Sequence, residues 1–261
     1  MIAASPAGRT AVVTGGGRGI GAAIARALAW AGARVVVTAR TAEEIEAVAA
    51  ELCAAGAEAW ALPCDVADET SVRSLARAVR ERVGDVDILI NNAGVSSSAP
   101  LVKLTLDEWN RVMGVSATGS FLCTREFLPR MIERGFGRIV NVASVAGLDG
   151  AKYIAHYSAA KHAVVGLTRS VAFEVAGKGV TVNAVCPGYV DTPMTLRTLE
   201  NVQARTGLSR EEARRALLAA AGQERLVTVA EVATAVLAFC RDADGEHNGQ
   251  VIAIDGGMVP T

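Results

Sequence analysis

Seven short apolar runs recur along the chain, and each closes on small or polar residues before a more polar stretch begins. They span residues 9–15, 33–40, 57–66, 86–94, 137–144, 180–188 and 249–257. Continuous β-branched and apolar runs of this length are typical of strands buried on both faces of a parallel sheet. Ser or Thr followed three residues later by Glu predicts helix starts at Thr41, Thr105, Ser209 and Thr228. This alternation of strands and helices predicts an α/β fold, a doubly wound parallel sheet with helices on both faces.

Length and composition narrow the class of protein. The 261 residues are 51% hydrophobic and 20% charged, with a formal net charge of −1, which is typical of a soluble globular protein. We expect one domain over residues 1–261 and neither nucleic acid nor membrane as a partner, because the sequence has no basic run and no long uncharged apolar segment. The five cysteines have no metal-ligand spacing and are expected to be reduced. With no secretory leader at the start, the expected location is the cytoplasm.

Residues 193–224 depart from the alternation, because they follow a strand but continue as a long, charged helical pattern. Ligands of open α/β sheets bind at the carboxyl ends of the strands. The segment is therefore predicted to be a mobile helical lid over a ligand crevice.

A glycine-rich turn follows the first predicted strand, in the sequence TGGGRGIG at residues 14–21. Glycines between a strand and a helix allow a pyrophosphate to approach the helix N-terminus, the Rossmann-like arrangement for a dinucleotide. The alternative is a turn that only lets the strand and the helix pack closely. The candidate cofactor residues here are Gly15, Gly17, Arg18, Gly19 and Ile20.

The end of the second predicted strand selects between the two dinucleotides. An NAD site usually has a carboxylate there, whereas this chain has Arg40 and its first carboxylate only at Glu43. Arg40 can bind a 2′-phosphate through its planar guanidinium, and Arg18 can add a second positive charge. The alternative is that both arginines are solvated surface residues. Together they favour NADP over NAD.

Two later strand ends offer further cofactor contacts. Asp65, followed by Val66, can accept a hydrogen bond from the adenine amino group. Ala93 and Gly94, preceded by Asn92, are small enough to leave room for a ribose at the edge of the sheet. Taken alone, the sequence NNAG at residues 91–94 also fits a plain Asx-type turn.

Tyr157 and Lys161 lie four residues apart in a predicted helix and therefore share one face. The ordinary pKa of a tyrosine is about 10, and an ammonium within ~5 Å is expected to lower it. Ser144 ends the preceding predicted strand and is placed to hydrogen-bond a substrate oxygen. The alternative is a buried tyrosine bonded to the backbone and a lysine that extends to solvent.

Taken in order, these motifs resemble the short-chain dehydrogenase/reductase family over residues 9 to about 258. The sequences that carry the resemblance are TGGGRGIG (14–21), CDV (64–66), NNAG (91–94), Ser144, YSAAK (157–161) and CPGYVDTPM (186–194). The resemblance implies that Tyr157 is the catalytic acid/base and that Ser144 orients the carbonyl. It implies that Lys161 lowers the tyrosine pKa and binds the nicotinamide ribose. The segment implied to flank the nicotinamide contains Pro187, Gly188, Val190 and Thr192.

One catalytic position departs from the family pattern. Family members usually carry an Asn 28 residues before the catalytic serine. This Asn lies in a kinked helix, and the kink holds a water that relays a proton to the lysine. In this chain the residue at that position is Ser116. A hydroxyl offers fewer hydrogen bonds than an amide. We predict that the relay survives, because the main-chain carbonyl at position 116 can hold the water and the hydroxyl can be its second ligand. The opposite hypothesis is that turnover is damaged.

The resemblance implies a reversible hydride transfer between NADP(H) and a ketone or secondary alcohol, catalysed by a homotetramer or homodimer whose C-terminal strand lies at a subunit interface. The length of the lid favours a bulky substrate, and the motifs look like those of bacterial ketoreductases and hydroxyacyl thioester dehydrogenases. One alternative is an NAD-dependent 3-hydroxyacyl thioester dehydrogenase. Another is a non-catalytic NADP sensor, which has no need of a proton donor. No metal is expected, and His156 and His162 are expected to line the pocket or an interface rather than to catalyse.

Overall fold

The structure is a computed structural model that describes residues 6–242 and 245–256. Within these residues, all seven predicted strands lie in one parallel sheet with the spatial order β3-β2-β1-β4-β5-β6-β7. The strands are β1 Thr10–Thr14, β2 Arg34–Thr38, β3 Ala59–Ala61, β4 Ile88–Asn91, β5 Gly137–Val142, β6 Val180–Pro187 and β7 Val251–Ile254. Strands β2 and β3 lie on one side of β1, and β4 to β7 lie on the other. The strand order therefore reverses between β1 and β4, and open α/β sheets bind ligands at such a switch point.

Helices cover both faces of the sheet. They are α1 Gly19–Trp30, α2 Ala42–Ala54, α3 Glu69–Arg82, α4 Leu106–Met113, α5 Gly119–Glu133, α6 Ala155–Val175, α7 Pro193–Thr206, α8 Arg210–Ala220 and α9 Val229–Cys240. One hydrophobic core packs α1, α2 and α9 against one face, and the other packs α3, α5 and α6 against the opposite face. Across the described ranges, no helix combines the length and apolar character needed to cross a membrane.

The central strands contribute alternate side chains to the two cores. In β1, Ala11 and Val13 pack with α1, whereas Val12 faces the opposite core, and all three are fully buried. The edge strands differ from the prediction, because β3 is half-buried throughout and β7 exposes Ala253. An edge strand has one neighbour, so part of its surface stays open. Residues 257 and 258, also predicted to lie at a subunit interface, fall outside the described residues.

Two of the four predicted capping boxes form completely, at Ser209 and Thr228. At the start of α4 the Thr105 hydroxyl caps the helix, but the carboxylate of Glu108 binds the guanidinium of Arg111 through two hydrogen bonds of 2.7 Å. Charge-assisted bonds of this kind are roughly twice as strong as neutral ones. The guanidinium therefore competes successfully with the backbone N–H of the cap.

The predicted lid at 193–224 consists of α7 and α8, which begin where β6 has ended. The segments on either side of the lid are joined, because Val190 pairs with Val227 in an isolated parallel bridge. The Thr195 hydroxyl also donates a 2.6 Å hydrogen bond to the carbonyl of Val190. The lid thus leaves and rejoins the sheet at one place, beside the carboxyl end of β6.

Candidate active site

The four predicted catalytic residues come from three different segments and meet at the carboxyl edge of the sheet. Ser144 follows β5, Tyr157 and Lys161 lie on α6, and Ser116 lies in a π-helical stretch between α4 and α5. The Lys161 ammonium nitrogen is 5.7 Å from the centre of the Tyr157 ring. A Cβ added to Gly94 would lie 3.6 Å from Lys161 Nζ and 3.7 Å from Ser116 Oγ, so both polar groups face the same small space.

Lys161 carries its charge inside the protein. Its side chain is only 4% exposed, and Nζ donates a 2.8 Å hydrogen bond to the carbonyl oxygen of Val142 at the end of β5. Burial lowers the pKa of this lysine to about 8. The ammonium therefore loses its proton more readily than a surface lysine does, which suits a group that passes a proton onward.

The pKa of Tyr157 moves in the direction opposite to the sequence-based expectation. Burial raises the pKa of the phenol, and a hydrogen bond with Ser144 offsets only part of that rise. Lys161 is not among the groups that cause this shift, so the lowering expected from Lys161 stays a prediction. The main cause of the rise is removal from water, which penalises the phenolate.

Ser116 lies in the expected helix irregularity, since residues Gly114–Thr118 form a π-helical turn. Its side chain is 1% exposed, and its hydroxyl oxygen has no hydrogen-bond partner among the described residues. The main-chain carbonyl of Ser116 accepts a 2.8 Å bond from the Ser120 hydroxyl. The carbonyl that we expected to hold the relay water is thus partly occupied, and the hydroxyl is the more available group facing Lys161.

Ser144 is held where a strand turns into a short helix. Its hydroxyl accepts a 3.2 Å hydrogen bond from the N–H of Ala146 and donates a 3.4 Å bond to the carbonyl of Pro187. The side chain is 8% exposed. Ser144 therefore connects the end of β5 with the end of β6 and fixes the distance between these two walls of the site.

The glycine turn has the geometry of an anion cradle. Helix α1 begins with Arg18 as its N-cap, which makes no side-chain cap hydrogen bond, and the first turn has no acidic residue. The N–H groups of that turn are thus left for an external acceptor. Gly15 and Gly19 have positive φ values of 62° and 54°. A Cβ on Gly21 would lie 2.2 Å from the carbonyl oxygen of Gly15, so only glycine fits there.

Asn92 holds the glycine-rich turn in place through hydrogen bonds of its side chain. Its side-chain amide donates to the carbonyls of Thr14 and Gly15 at 2.9 and 3.1 Å. The Thr14 hydroxyl accepts from the N–H groups of Asn92 and Ala93 at 3.0 and 3.1 Å. The role of Asn92 as a cofactor residue stays a prediction, and its side chain lies on the glycine turn. Sequence reasoning missed Thr14, although a threonine closing a buried apolar strand was the signal.

The two arginines predicted to select NADP differ in their surroundings. Arg40 is exposed at the end of β2. Arg18 forms a 3.0 Å ion pair with Glu44 on α2. The Glu44 carboxylate thus binds a guanidinium rather than the N–H of Thr41, and the Thr41 hydroxyl makes no cap hydrogen bond, so the capping box predicted there does not form. Arg18 therefore adds less than a full positive charge to the site, because Glu44 neutralises part of it.

The remaining predicted cofactor residues lie along the same edge. The carboxylate of Asp65 accepts a 3.0 Å bond from the N–H of Ala67 and stays half-buried, whereas Val66 is buried against Gly119 of α5. Val66 therefore acts mainly through packing. The N–H of Gly188 bonds to the carbonyl of Ile254 in β7, which extends the β6 to β7 pairing past Pro187.

The two histidines beside the catalytic pair have different environments. His156 is fully buried, and its Nε2 lies 2.8 Å from the Ser97 hydroxyl. His162 is exposed, and its Nδ1 lies 2.9 Å from the carbonyl of Ser158. No cluster of His, Cys, Asp and Glu suited to a metal occurs in the part of the chain that the structure describes.

Comparison with known proteins identifies the family of the chain. A family model described as short chain dehydrogenase matches residues 9–203. The chain belongs to the short chain dehydrogenase family. It is therefore an oxidoreductase, and the predicted Rossmann-like sheet is confirmed both by the strand order and by solved structures of this family.

The relatives cover nearly the whole chain. The 3-oxoacyl-[acyl-carrier-protein] reductase of Synechocystis sp. is 40% identical over 253 residues, which cover 96% of this chain and 97% of the relative. The D-beta-hydroxybutyrate dehydrogenase of Rhizobium meliloti is 38% identical over 255 residues, covering 95% of this chain and 98% of the relative. A variant of actinorhodin polyketide ketoreductase, solved with NADPH, has a TM-score of 0.92 at 40% identity, covering 96% of this chain and 97% of the other.

Proposed function

We propose that this chain is an NADP(H)-dependent ketoreductase that transfers hydride reversibly between the nicotinamide and a ketone or secondary alcohol. The observation that carries the proposal is the position of the buried Lys161 ammonium, 5.7 Å from the Tyr157 ring, at the same sheet edge as the uncapped start of α1. The relatives named for ketoacyl and polyketide reduction, one of them solved with NADPH, support the same reaction class.

The chain's own residues divide into those that hold the cofactor and those that move the proton. The glycine turn would hold the pyrophosphate, and Arg40 would bind the 2′-phosphate. Asp65 would accept from the adenine, and Lys161 would bind the nicotinamide ribose. The other proposed cofactor residues are Gly15, Gly17, Arg18, Gly19, Ile20, Val66, Asn92, Ala93, Gly94, Tyr157, Pro187, Gly188, Val190 and Thr192.

In the reductive direction, NADPH held by these residues would supply a hydride to the carbonyl carbon. The Ser144 hydroxyl, which donates to the carbonyl of Pro187 in this structure, would turn its one proton to the substrate oxygen. Tyr157 would transfer its phenolic proton to that oxygen as the new C–H bond forms. The raised pKa of Tyr157 keeps the phenol protonated at neutral pH, which is the form a proton donor needs. Lys161 stabilises the resulting phenolate and returns a proton to it.

Ser116 would complete the path from Lys161 to solvent. Its unpartnered hydroxyl and the lysine ammonium face the space beside Gly94. A water there would bond both groups, so the relay would run through the hydroxyl and the main-chain carbonyl would be a secondary ligand. This refines the prediction that the relay survives the replacement of the usual asparagine.

The substrate proposed is a bulky ketone such as a 3-oxoacyl thioester or an aryl ketone, bound beneath α7 and α8. The test follows the absorbance of NADPH against a panel of 3-oxoacyl thioesters, aryl ketones and small ketones, with Tyr157→Phe as the matched variant. We expect oxidation of NADPH with the bulky ketones and its loss in the variant. NADPH binding without turnover on any carbonyl would favour the sensor. A preference for NAD⁺ with 3-hydroxyacyl thioesters would favour the alternative dehydrogenase.

A further inference from the structure

Gln223 is a buried polar residue that the mechanism above does not use. It follows α8 at the end of the lid and is 4% exposed. Its main-chain N–H bonds to the carbonyl of Leu218 in the last turn of α8 at 3.0 Å. The residue thus belongs to the lid, while its carboxamide points away from the helix.

That carboxamide makes three hydrogen bonds to the backbone. Oε1 accepts from the N–H of Tyr189 at 2.8 Å, and Nε2 donates to the carbonyl of the same residue at 2.8 Å. Nε2 also donates to the carbonyl of Arg225 at 2.5 Å. Both the acceptor oxygen and the donor nitrogen of the amide are used here, and among side chains only Gln and Asn carry these two groups together.

The neighbouring backbone is shaped to receive this side chain. A Cβ on Gly188 would lie 2.6 Å from Gln223 Oε1 and 3.4 Å from the Cα of Asp255. Gly188 is thus enclosed between the lid's end and the residue after β7. The absence of a side chain at position 188 is what allows the carboxamide to approach the backbone of Tyr189.

The segment that Gln223 holds reaches the reacting groups. Pro187 accepts a hydrogen bond from Ser144. The phenol of Tyr189 lies close enough to Tyr157 for its charge to contribute to the raised pKa of the catalytic phenol. A shift of the backbone at Gly188 would therefore be transmitted both to the nicotinamide side of the crevice and to the surroundings of Tyr157.

We infer that Gln223 is a positioning residue: its carboxamide fixes the Gly188–Tyr189 backbone that flanks the nicotinamide and links that backbone to the seated lid. The inference rests on the proposed function, because the nicotinamide side of the crevice is assigned there. It predicts that loss of the carboxamide weakens binding of the nicotinamide half of the cofactor and leaves the adenosine half unaffected. Loss of the carboxamide leaves the N–H of Tyr189 without its acceptor, at a cost that scales with its burial, while the Tyr189 carbonyl still accepts from the N–H of Val227 at 2.9 Å.

The test compares two ligands by calorimetry, NADPH and 2′,5′-ADP, which lacks the nicotinamide. For Gln223→Met, of similar length but with no amide, we expect the Kd for NADPH to rise about 10-fold and the Kd for 2′,5′-ADP to change less than about 2-fold. Gln203→Met on α7 is the matched control, because it also lies on the lid, and it should leave both constants unchanged. Equal weakening of both ligands, or unchanged NADPH binding, would overturn the inference.

A second variant guards against simple misfolding. Gln223→Glu keeps the shape and the acceptor, but as a carboxylate it faces two carbonyl oxygens. Protonation gives it one donor back, so we expect NADPH binding to recover toward the wild-type value as the pH is lowered from 8 to 6. A Kd for this variant that stays independent of pH, relative to wild type, would contradict the role given to Nε2. Wild-type protein that binds neither ligand would instead refute the proposed cofactor.

Discussion

We predict that the buried charge of Lys161, a residue needed for catalysis, lowers the free energy of unfolding of the protein. Burial lowers the pKa of this lysine from its ordinary value of 10.5 to about 8. At about 1.36 kcal/mol per pKa unit, the charged form is disfavoured by about 3 kcal/mol in the folded state. Lys161→Met removes the charge and keeps most of the side-chain length. Subtracting about 1 kcal/mol for the hydrogen bond lost at Val142 leaves an expected gain of about 2 kcal/mol at pH 7.

The pH dependence distinguishes this cause from better packing. The folded-state pKa of Lys161 is lower than the unfolded one, so between pH 8 and 10.5 the unfolded chain holds more protons at this residue. In that window the stability of the wild type rises with pH relative to the variant. The advantage of Lys161→Met should therefore be constant below pH 8 and shrink above it. Cys123 and Cys240, whose pKa values burial raises to about 12, do not contribute to the Lys161 shift and cancel. Cys186 does interact with Lys161, but burial raises its pKa to about 11, so its thiol stays mostly protonated in the folded protein up to pH 9.5.

The assay is urea unfolding of the cofactor-free protein at pH 7, 8, 9 and 9.5, with Lys178→Met as the control on an exposed lysine. We expect the control to change the free energy of unfolding by less than about 0.5 kcal/mol. Turnover by Lys161→Met should fall by at least about 100-fold. A variant no more stable than wild type at pH 7, or an advantage that persists unchanged at pH 9.5, would refute the reasoning.

Three further substitutions test the cofactor site and the proton relay. Arg40→Asp should reverse the preference for NADPH over NADH by at least about 10-fold in Kd, because a carboxylate would face the 2′-phosphate; an unchanged ratio would show that Arg40 does not bind it. Glu44→Gln should tighten NADPH binding about 2- to 5-fold by releasing Arg18, while Glu43→Gln on the exposed side of α2 should not. Ser116→Asn should change kcat by less than about 10-fold, whereas a larger increase would mean that the serine impairs the relay.

The sequence was sufficient for the succession of strands and helices along the chain and for the placing of Tyr157 and Lys161 on one helix, because both follow from local patterns. The spatial order of the strands needed the structure. Strand burial depends on two neighbours, and their identity is not local, so the exposure at Ala253 of β7 could not be predicted. The direction of the tyrosine pKa also needed the structure. The spacing in sequence gives the proximity of an ammonium but not the burial that outweighs it.

The missed contacts join residues far apart along the chain. Arg18 and Glu44 are 26 residues apart and Gln223 and Tyr189 are 34 apart. Nothing near Gln223 distinguishes it from the other polar residues of a charged segment. Its role depends on a tertiary contact, because the end of α8 places Gln223 beside the backbone of Tyr189, which follows β6.

The contact between Asn92 and the glycine turn also has a consequence for how the protein is made. The amide of Asn92 bonds to Gly15 across 77 residues of chain. At a synthesis rate of ~5–20 residues per second, roughly 4–15 s separate the emergence of the turn from that of its support. Throughout that interval β1 also lacks its neighbour β4. A nascent chain should therefore acquire nucleotide affinity only after β4 has left the ribosome and docked, which makes cofactor binding a late reporter of folding.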